Sequence, residues 1–157
     1  MLFLTHGSPM NAVEDNPFTQ SLRRLGQELT KPKAVLCVSA HWYVGGSFIS
    51  SAEKPETIHD FGGFPRELYH IQYPALGHPA LAKKAATLLG DFLLENRGLD
   101  HGAWSVMRHL YPNADVPIFQ VSLNSTLHAQ NHFDFGRRLS ALRNEGVLLV
   151  GSGNVVH

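Results

Sequence analysis

Short apolar runs alternate along the chain with segments of helical periodicity. Apolar runs with the length of strands lie at residues 1–5, 34–40, 48–51, 117–122 and 147–151. Helical patterns lie at residues 16–29, 79–89, 103–111 and 129–144. Strands that alternate with helices predict an α/β layered domain with a central, mainly parallel sheet flanked by helices.

The first helix has a clear start signal. Asn16 is a good N-cap residue. Pro17 suits the first helical position, because the backbone N–H that proline lacks would have no partner within the helix there. The segment 54–74, in contrast, is rich in proline, glycine and aromatic residues and has no helical period. We interpret it as a long ordered loop, a feature that is often functional.

Three histidines lie just beyond the carboxyl ends of predicted strands. His6 follows the first strand, His41 follows the strand at residues 34–40, and His157 follows the last strand. Ligands of parallel α/β sheets bind beyond the carboxyl ends of the strands. We therefore expect these histidines, although far apart in sequence, to converge on one site.

A lone histidine is usually an ordinary surface or core side chain, so each of the three is weak evidence by itself. Small residues flank all of them, as in Gly7-Ser8, Ser39-Ala40 and Gly151-Ser152-Gly153. Small neighbours let a ligand or metal approach the backbone closely. The alternative, which spacing alone leaves open, is ordinary turn chemistry.

Composition limits the classes of function. The 157 residues fit one domain, and 13 lysines and arginines balance 13 aspartates and glutamates. This balance gives no reason to expect a nucleic acid or membrane partner, and no apolar run approaches the ~20 residues of a membrane span. The single cysteine, Cys37, excludes an internal disulfide, lies in a predicted buried strand and favours a cytoplasmic location.

Several catalytic motifs are absent from the sequence. One cysteine cannot build a zinc finger, and His-Glu-x-x-His, Gly-x-Ser-x-Gly and the phosphate-binding loop do not occur. These absences argue against proteases, serine hydrolases and nucleotide hydrolases. Histidine remains the unusual component, with ten copies, and it is the commonest metal ligand.

Five short sequence motifs occur one after another along the whole chain. They are His6-Gly7-Ser8-Pro9-Met10, Ser39-Ala40-His41-Trp42, Ile58-His59-Asp60-Phe61-Gly62-Gly63-Phe64-Pro65, Asp100-His101-Gly102 and Gly151-Ser152-Gly153-Asn154-Val155-Val156-His157. The ordered set resembles the class III (LigB-type) extradiol ring-cleavage dioxygenases, especially their DOPA dioxygenase branch.

The resemblance implies roles for individual histidines. His6 and His41 match the family's metal ligands, and His157 matches a position that acts as a catalytic base or as another metal neighbour. His101 matches an acid/base group, which Asp100 or a backbone carbonyl would orient. His59 is a candidate for substrate binding. The loop at residues 60–65 matches one near the substrate pocket, and no catalytic residue is assigned to it.

The resemblance also implies the chemistry. The expected reaction is the opening of a catechol ring, such as that of DOPA, with dioxygen to a muconic semialdehyde-type product. Fe(II) is the expected cofactor, and Zn(II) suits the same imidazoles. Two alternatives stay open: a zinc-dependent hydrolase on the same strand-end histidines, and a catalytically impaired metal-binding or interaction module.

Family chains continue past the last of the five motifs. Residues 1–157 are therefore expected to form a single catalytic-type α/β domain that lacks the carboxyl-terminal part of the family's domain, with one of its metal ligands. A strand edge or apolar face left open there would favour a homo-oligomer. The remaining histidines and both tryptophans are interpreted as packing or surface residues. The histidines are His70, His78, His109, His128 and His132.

Overall fold

The computed structural model describes residues 1–154, so His157 lies outside the described residues. One six-stranded sheet forms the centre of the fold. Its strands are β1 (Leu2–Leu4), β2 (Ala34–Val44), β3 (Phe48–Ser50), β4 (Leu93–Glu95), β5 (Ile118–Asn124) and β6 (Val147–Ser152). They lie in the order β1-β6-β2-β5-β3-β4, and every neighbouring pair is parallel except β3 with β5. The predicted α/β fold with a mainly parallel sheet is confirmed.

Helices cover both faces of the sheet. They are α1 (Pro17–Glu28), the single turn α2 (Arg66–Tyr69), α3 (Pro79–Leu89), α4 (His101–Leu110) and α5 (Ala129–Leu139). Alternate residues of β2 enter two different cores: Val35 and Cys37 pack with α1 and α4, whereas Leu36 packs with α3 and α5. This alternation follows from the two-residue period of a strand, and it makes a three-layer domain.

Helix α1 begins where the sequence predicts. The Asn16 side chain accepts a hydrogen bond from the Thr19 N–H, and the Thr19 hydroxyl accepts one from the Asn16 N–H. This capping box satisfies two backbone donors that a helix end otherwise leaves unpaired. Helix α4 begins at His101, two residues earlier than predicted, because Asp100 caps it through the Ala103 N–H.

Strand β2 runs further than predicted, so His41 lies inside a strand and not after one. Pairing of β2 with β6 ends at Ser39, while pairing with β5 continues to Val44 through a register shift between Val38 and Tyr43. Such irregularities occur next to active sites, where they redirect side chains. His41 lies within this irregular stretch, close to the end of β6.

Both edges of the sheet depart from the sequence expectation. The apolar run of β1 predicts a buried strand, but β1 pairs only with β6 and leaves Phe3 69% exposed. β4 was not predicted, because its three exposed residues show no burial pattern. The helix predicted at residues 129–144 divides into α5 and a 3₁₀ segment, Ser140–Glu145. No helix within residues 1–154 is long and apolar enough to cross a membrane.

Cys37 gives a test of the central strand. Its side chain is fully buried, and burial together with the nearby negative charge of Asp100 raises the pKa of the thiol well above its ordinary value. The thiolate is the reactive form of cysteine. We therefore expect negligible labelling of the native protein by a thiol reagent and full labelling after denaturation. Rapid labelling of the native protein would contradict this placement of β2.

Candidate metal centre

Three imidazoles meet at the carboxyl edge of the parallel strands. His6 follows β1, His41 belongs to β2, and His101 is the first residue of α4. One ligand-capable nitrogen from each lies within 4.8 Å of the others. The closest pair is His6 Nε2 and His41 Nε2, which are 2.9 Å apart. Among residues 1–154, this is the only group of histidine, cysteine or acidic side chains that meets the geometry of a metal site.

His6 is buried and contacts the end of strand β6. Its ring is 2% exposed, and Nδ1 lies 3.2 Å from the Ser152 hydroxyl at the end of β6. Ser152 donates its own proton to the Gly102 carbonyl, so its oxygen is free to accept from His6 Nδ1–H. This arrangement leaves the His6 Nε2 lone pair directed towards His41.

His101 is held by Asp60. One carboxylate oxygen, Oδ1, lies 2.9 Å from both the backbone nitrogen and the Nδ1 of His101. The other, Oδ2, lies 3.9 Å from His41 Nδ1. Burial alone would raise the pKa of the Asp60 carboxyl, but the hydrogen bonds from His101 outweigh burial and hold that pKa below its ordinary value.

Asp100, one of the two groups expected to orient His101, has a different role. It is completely buried. Its Oδ1 accepts from the Ala103 N–H, and its Oδ2 accepts from the Gln120 side chain at 2.8 Å. Asp100 therefore starts α4 and anchors it to β5, while Asp60 contacts the imidazole.

These residues have the chemistry of a site for a divalent transition metal. Neutral imidazole nitrogens suit Fe(II) and Zn(II) alike. Ligating histidines usually donate their second N–H to a carboxylate or another protein acceptor, and Ser152 and Asp60 supply such acceptors to His6 and His101. The cluster therefore fits a metal ion.

Comparison with known proteins identifies the family. Residues 1–157 match the family model described as the catalytic LigB subunit of aromatic ring-opening dioxygenase. The chain belongs to the LigB family. This match confirms the family resemblance that the five motifs indicate.

Named relatives are similar over nearly the whole chain. The 4,5-DOPA dioxygenase extradiol of Escherichia coli K12 is 51% identical over 160 residues, which cover 99% of this chain and 59% of the relative. The protein of the same name from Beta vulgaris is 39% identical and is covered to 61%. A crystal structure of an uncharacterized Escherichia coli K12 protein superposes with a TM-score of 0.82 at 44% identity, covering 99% of this chain and 59% of the other. The chain thus spans about three fifths of the length of these relatives.

An aromatic cluster adjoins the three histidines of this LigB-family chain. The Phe61 ring meets the His101 ring edge-on, with centroids 5.3 Å apart and an interplanar angle of 87°. Phe61 also contacts the rings of Phe64, Tyr69 and Trp104. The predicted long loop therefore places aromatic side chains directly beside the candidate metal centre.

His59 belongs to the same aromatic cluster. Its ring lies 5.7 Å from that of Trp104 and 5.8 Å from that of Phe61, measured between centroids. Its Nε2 is 2.9 Å from the Ile71 carbonyl and donates to it. A substrate contact from His59 would therefore use Nδ1.

Most of the remaining histidines make backbone contacts away from the centre. His109 Nε2 donates to the Asn11 carbonyl at 2.7 Å, and His132 Nε2 donates to the Asn124 carbonyl at 3.1 Å. His78 and His128 occupy the N-cap positions of α3 and α5. His70 follows α2 and is exposed. These contacts agree with the structural roles expected for them.

The sequence did not reveal the two residues that hold the imidazoles. Asp60 is 41 positions from His101, in a loop without periodicity, and Ser152 is 146 positions from His6. Only their positions in the sequence point to them. Asp60 follows His59 inside one of the five motifs, and Ser152 lies between two glycines at a strand end. His157, the remaining predicted site residue, lies outside the described residues.

Proposed function

We propose that this chain provides the metal centre of an extradiol dioxygenase that opens a catechol ring with dioxygen. The observation that carries the proposal is the convergence of His6, His41 and His101 nitrogens within 4.8 Å, in a chain of the LigB family. The names of the relatives support a DOPA-like substrate. The zinc hydrolase and the impaired binding module gain no such support from the named relatives.

His6 and His41 are the proposed metal ligands, and His157 is proposed as a further ligand or as the base that takes a catechol proton. Fe(II) is the proposed cofactor. When bound, it supplies open positions for both diol oxygens and dioxygen, and a path for electron density between them. His6, just after β1, and His41, within β2, would hold the ion at the carboxyl edge of the sheet.

His101 is proposed as the acid/base group. Because the Asp60 carboxylate can only accept hydrogen bonds, Nδ1 of His101 carries a proton. Its Nε2 is then the atom that can receive a proton from a bound reactant and return it. An imidazole is suited to this exchange because its ordinary pKa lies near neutrality.

The aromatic cluster is the proposed substrate wall. Phe61 offers its ring beside His101, and aromatic rings favour edge-to-face or offset contacts with other rings. His59 is proposed to contact substituents of the substrate through Nδ1. Such contacts would orient the catechol without taking part in ring opening.

Oxygen uptake tests this proposal. The protein is loaded with Fe(II) under anaerobic conditions, and dioxygen consumption is measured with DOPA and with tyrosine, which lacks the second hydroxyl. We expect uptake with DOPA only, together with the visible absorbance of a semialdehyde product. Iron-loaded protein that consumes no dioxygen with any catechol would contradict the proposal, and metal-dependent ester or amide hydrolysis would favour the hydrolase.

A further inference from the structure

We propose that Asp60 is a positioning residue that serves two imidazoles of the metal centre, fixing the tautomer of His101 and acting on His41 through its charge. The inference rests on the metal site of the proposed function and is independent of the catechol chemistry.

Asp60 accepts two hydrogen bonds from His101. Asp60 Oδ1 accepts from the backbone N–H of His101 and from its Nδ1–H, each at 2.9 Å. The same oxygen thus fixes the backbone at the start of α4 and the ring attached to it. Since a carboxylate offers only acceptors, the ring is held as the tautomer with a proton on Nδ1 and a lone pair on Nε2.

The second oxygen faces His41. Asp60 Oδ2 lies 3.9 Å from His41 Nδ1, which is beyond hydrogen-bond distance but close enough for the carboxylate charge to act on the imidazole. Both side chains are largely withdrawn from water, at 22% exposure for His41 and 23% for Asp60. A negative charge behind an imidazole raises its basicity as a metal ligand.

Asp60, and not the neighbouring Asp100, accepts the hydrogen bond of the His101 imidazole. Asp100 directly precedes His101, but its two oxygens are committed to the Ala103 N–H and the Gln120 amide. His6 has the neutral Ser152 hydroxyl behind it. Asp60 is therefore the acidic side chain that the structure places beside both His101 and His41.

The position of Asp60 in the chain couples the loop to the metal centre. Phe61 follows it directly and meets the His101 ring edge-on. The carboxylate that fixes His101 thus also sets the location of the aromatic side chain beside it. Loss of the Asp60 contact should disturb the imidazoles and the proposed substrate wall together.

Tautomer measurement is the first test. The apo protein, labelled with ¹⁵N in histidine, is studied by NMR at about pH 8, above the ordinary histidine pKa of about 6.5. We expect His101 to carry its proton on Nδ1 in the wild type and in Asp60→Asn, whose amide oxygen still accepts. In Asp60→Ala we expect the proton on Nε2, the other tautomer. The signals are assigned with His101→Gln.

Metal affinity is the second test. Zn(II) affinity is measured by competition with a chelator, so that no turnover is required. We expect Asp60→Ala to bind roughly 10–100-fold more weakly than the wild type. Asp60→Asn should lie between them, because its amide oxygen still fixes the start of α4 while the charge that acts on His41 is lost. Asp91→Ala removes an exposed carboxylate away from the cluster and should change nothing.

The two tests separate this proposal from the proposed function. Asp60→Ala with the wild-type tautomer and wild-type Zn(II) affinity, in a variant that still folds by circular dichroism, would overturn the role of Asp60. The expected tautomer and affinity changes in a protein that consumes no dioxygen with catechols would support Asp60 and overturn the dioxygenase proposal instead.

Discussion

Substituting His6 or His41 with alanine is expected to abolish most metal binding. Their Nε2 atoms lie 2.9 Å apart, so one ion would contact both, and each substitution removes one of very few protein ligands. Water replaces a lost imidazole poorly, because the fold does not hold a water molecule in place as it holds the imidazole. The measurement is metal content per protein by mass spectrometry after reconstitution with Fe(II) or Zn(II) and removal of the excess.

Two controls accompany these variants. His101→Ala should retain more metal than either ligand variant if His101 is an acid/base group, and equal loss would make it a ligand. His70→Ala removes an exposed histidine outside the cluster and should bind metal like the wild type. Equal metal content in the wild type and in the His6/His41 double variant would show that the ion, if bound, is held elsewhere.

Much of the fold could be predicted because buried strands and helix caps produce patterns among residues that are close together in the sequence. The apolar run at residues 34–40 marks the centre of the sheet, and the Asn16-Pro17 pair marks the start of α1. The short edge strand β4 could not be found, since its three residues are all exposed. The continuation of β2 past Ser39 depends on pairing with β5, a partner distant in sequence.

The candidate site was predictable where it follows from topology. Parallel strands bring their carboxyl ends to one edge, and this alone predicted that His6 and His41 would meet. The location of His101 came from the family resemblance, since it begins a helix and follows no apolar run. Asp60 and Ser152 act through tertiary contacts from an irregular loop and a distant strand end, for which no periodic pattern exists.

Gly102 shows how closely the backbone packs around the centre, and its substitution has the second large expected effect. A Cβ at this position would lie 2.4 Å from the Ser39 hydroxyl oxygen and 2.9 Å from Cδ2 of His41. Ser39 is fully buried, and its oxygen accepts from the His41 N–H. The added methyl group must therefore displace Ser39, the His41 ring or the start of α4.

We expect Gly102→Ala to lower stability by about 1–3 kcal/mol, as overpacking of a filled interior does. A displacement of His41 by about an ångström should also lower the catechol-dependent rate by roughly a hundredfold and weaken Zn(II) binding. The matched control is Gly136→Ala in α5, where an added Cβ meets nothing within 4 Å, so that replacing a helical glycine should stabilise by about 0.5–1 kcal/mol. Urea unfolding, Zn(II) competition and oxygen uptake are measured on both variants. If Gly102→Ala matched Gly136→Ala in all three, the contact between α4 and His41 would not control the geometry of the metal centre.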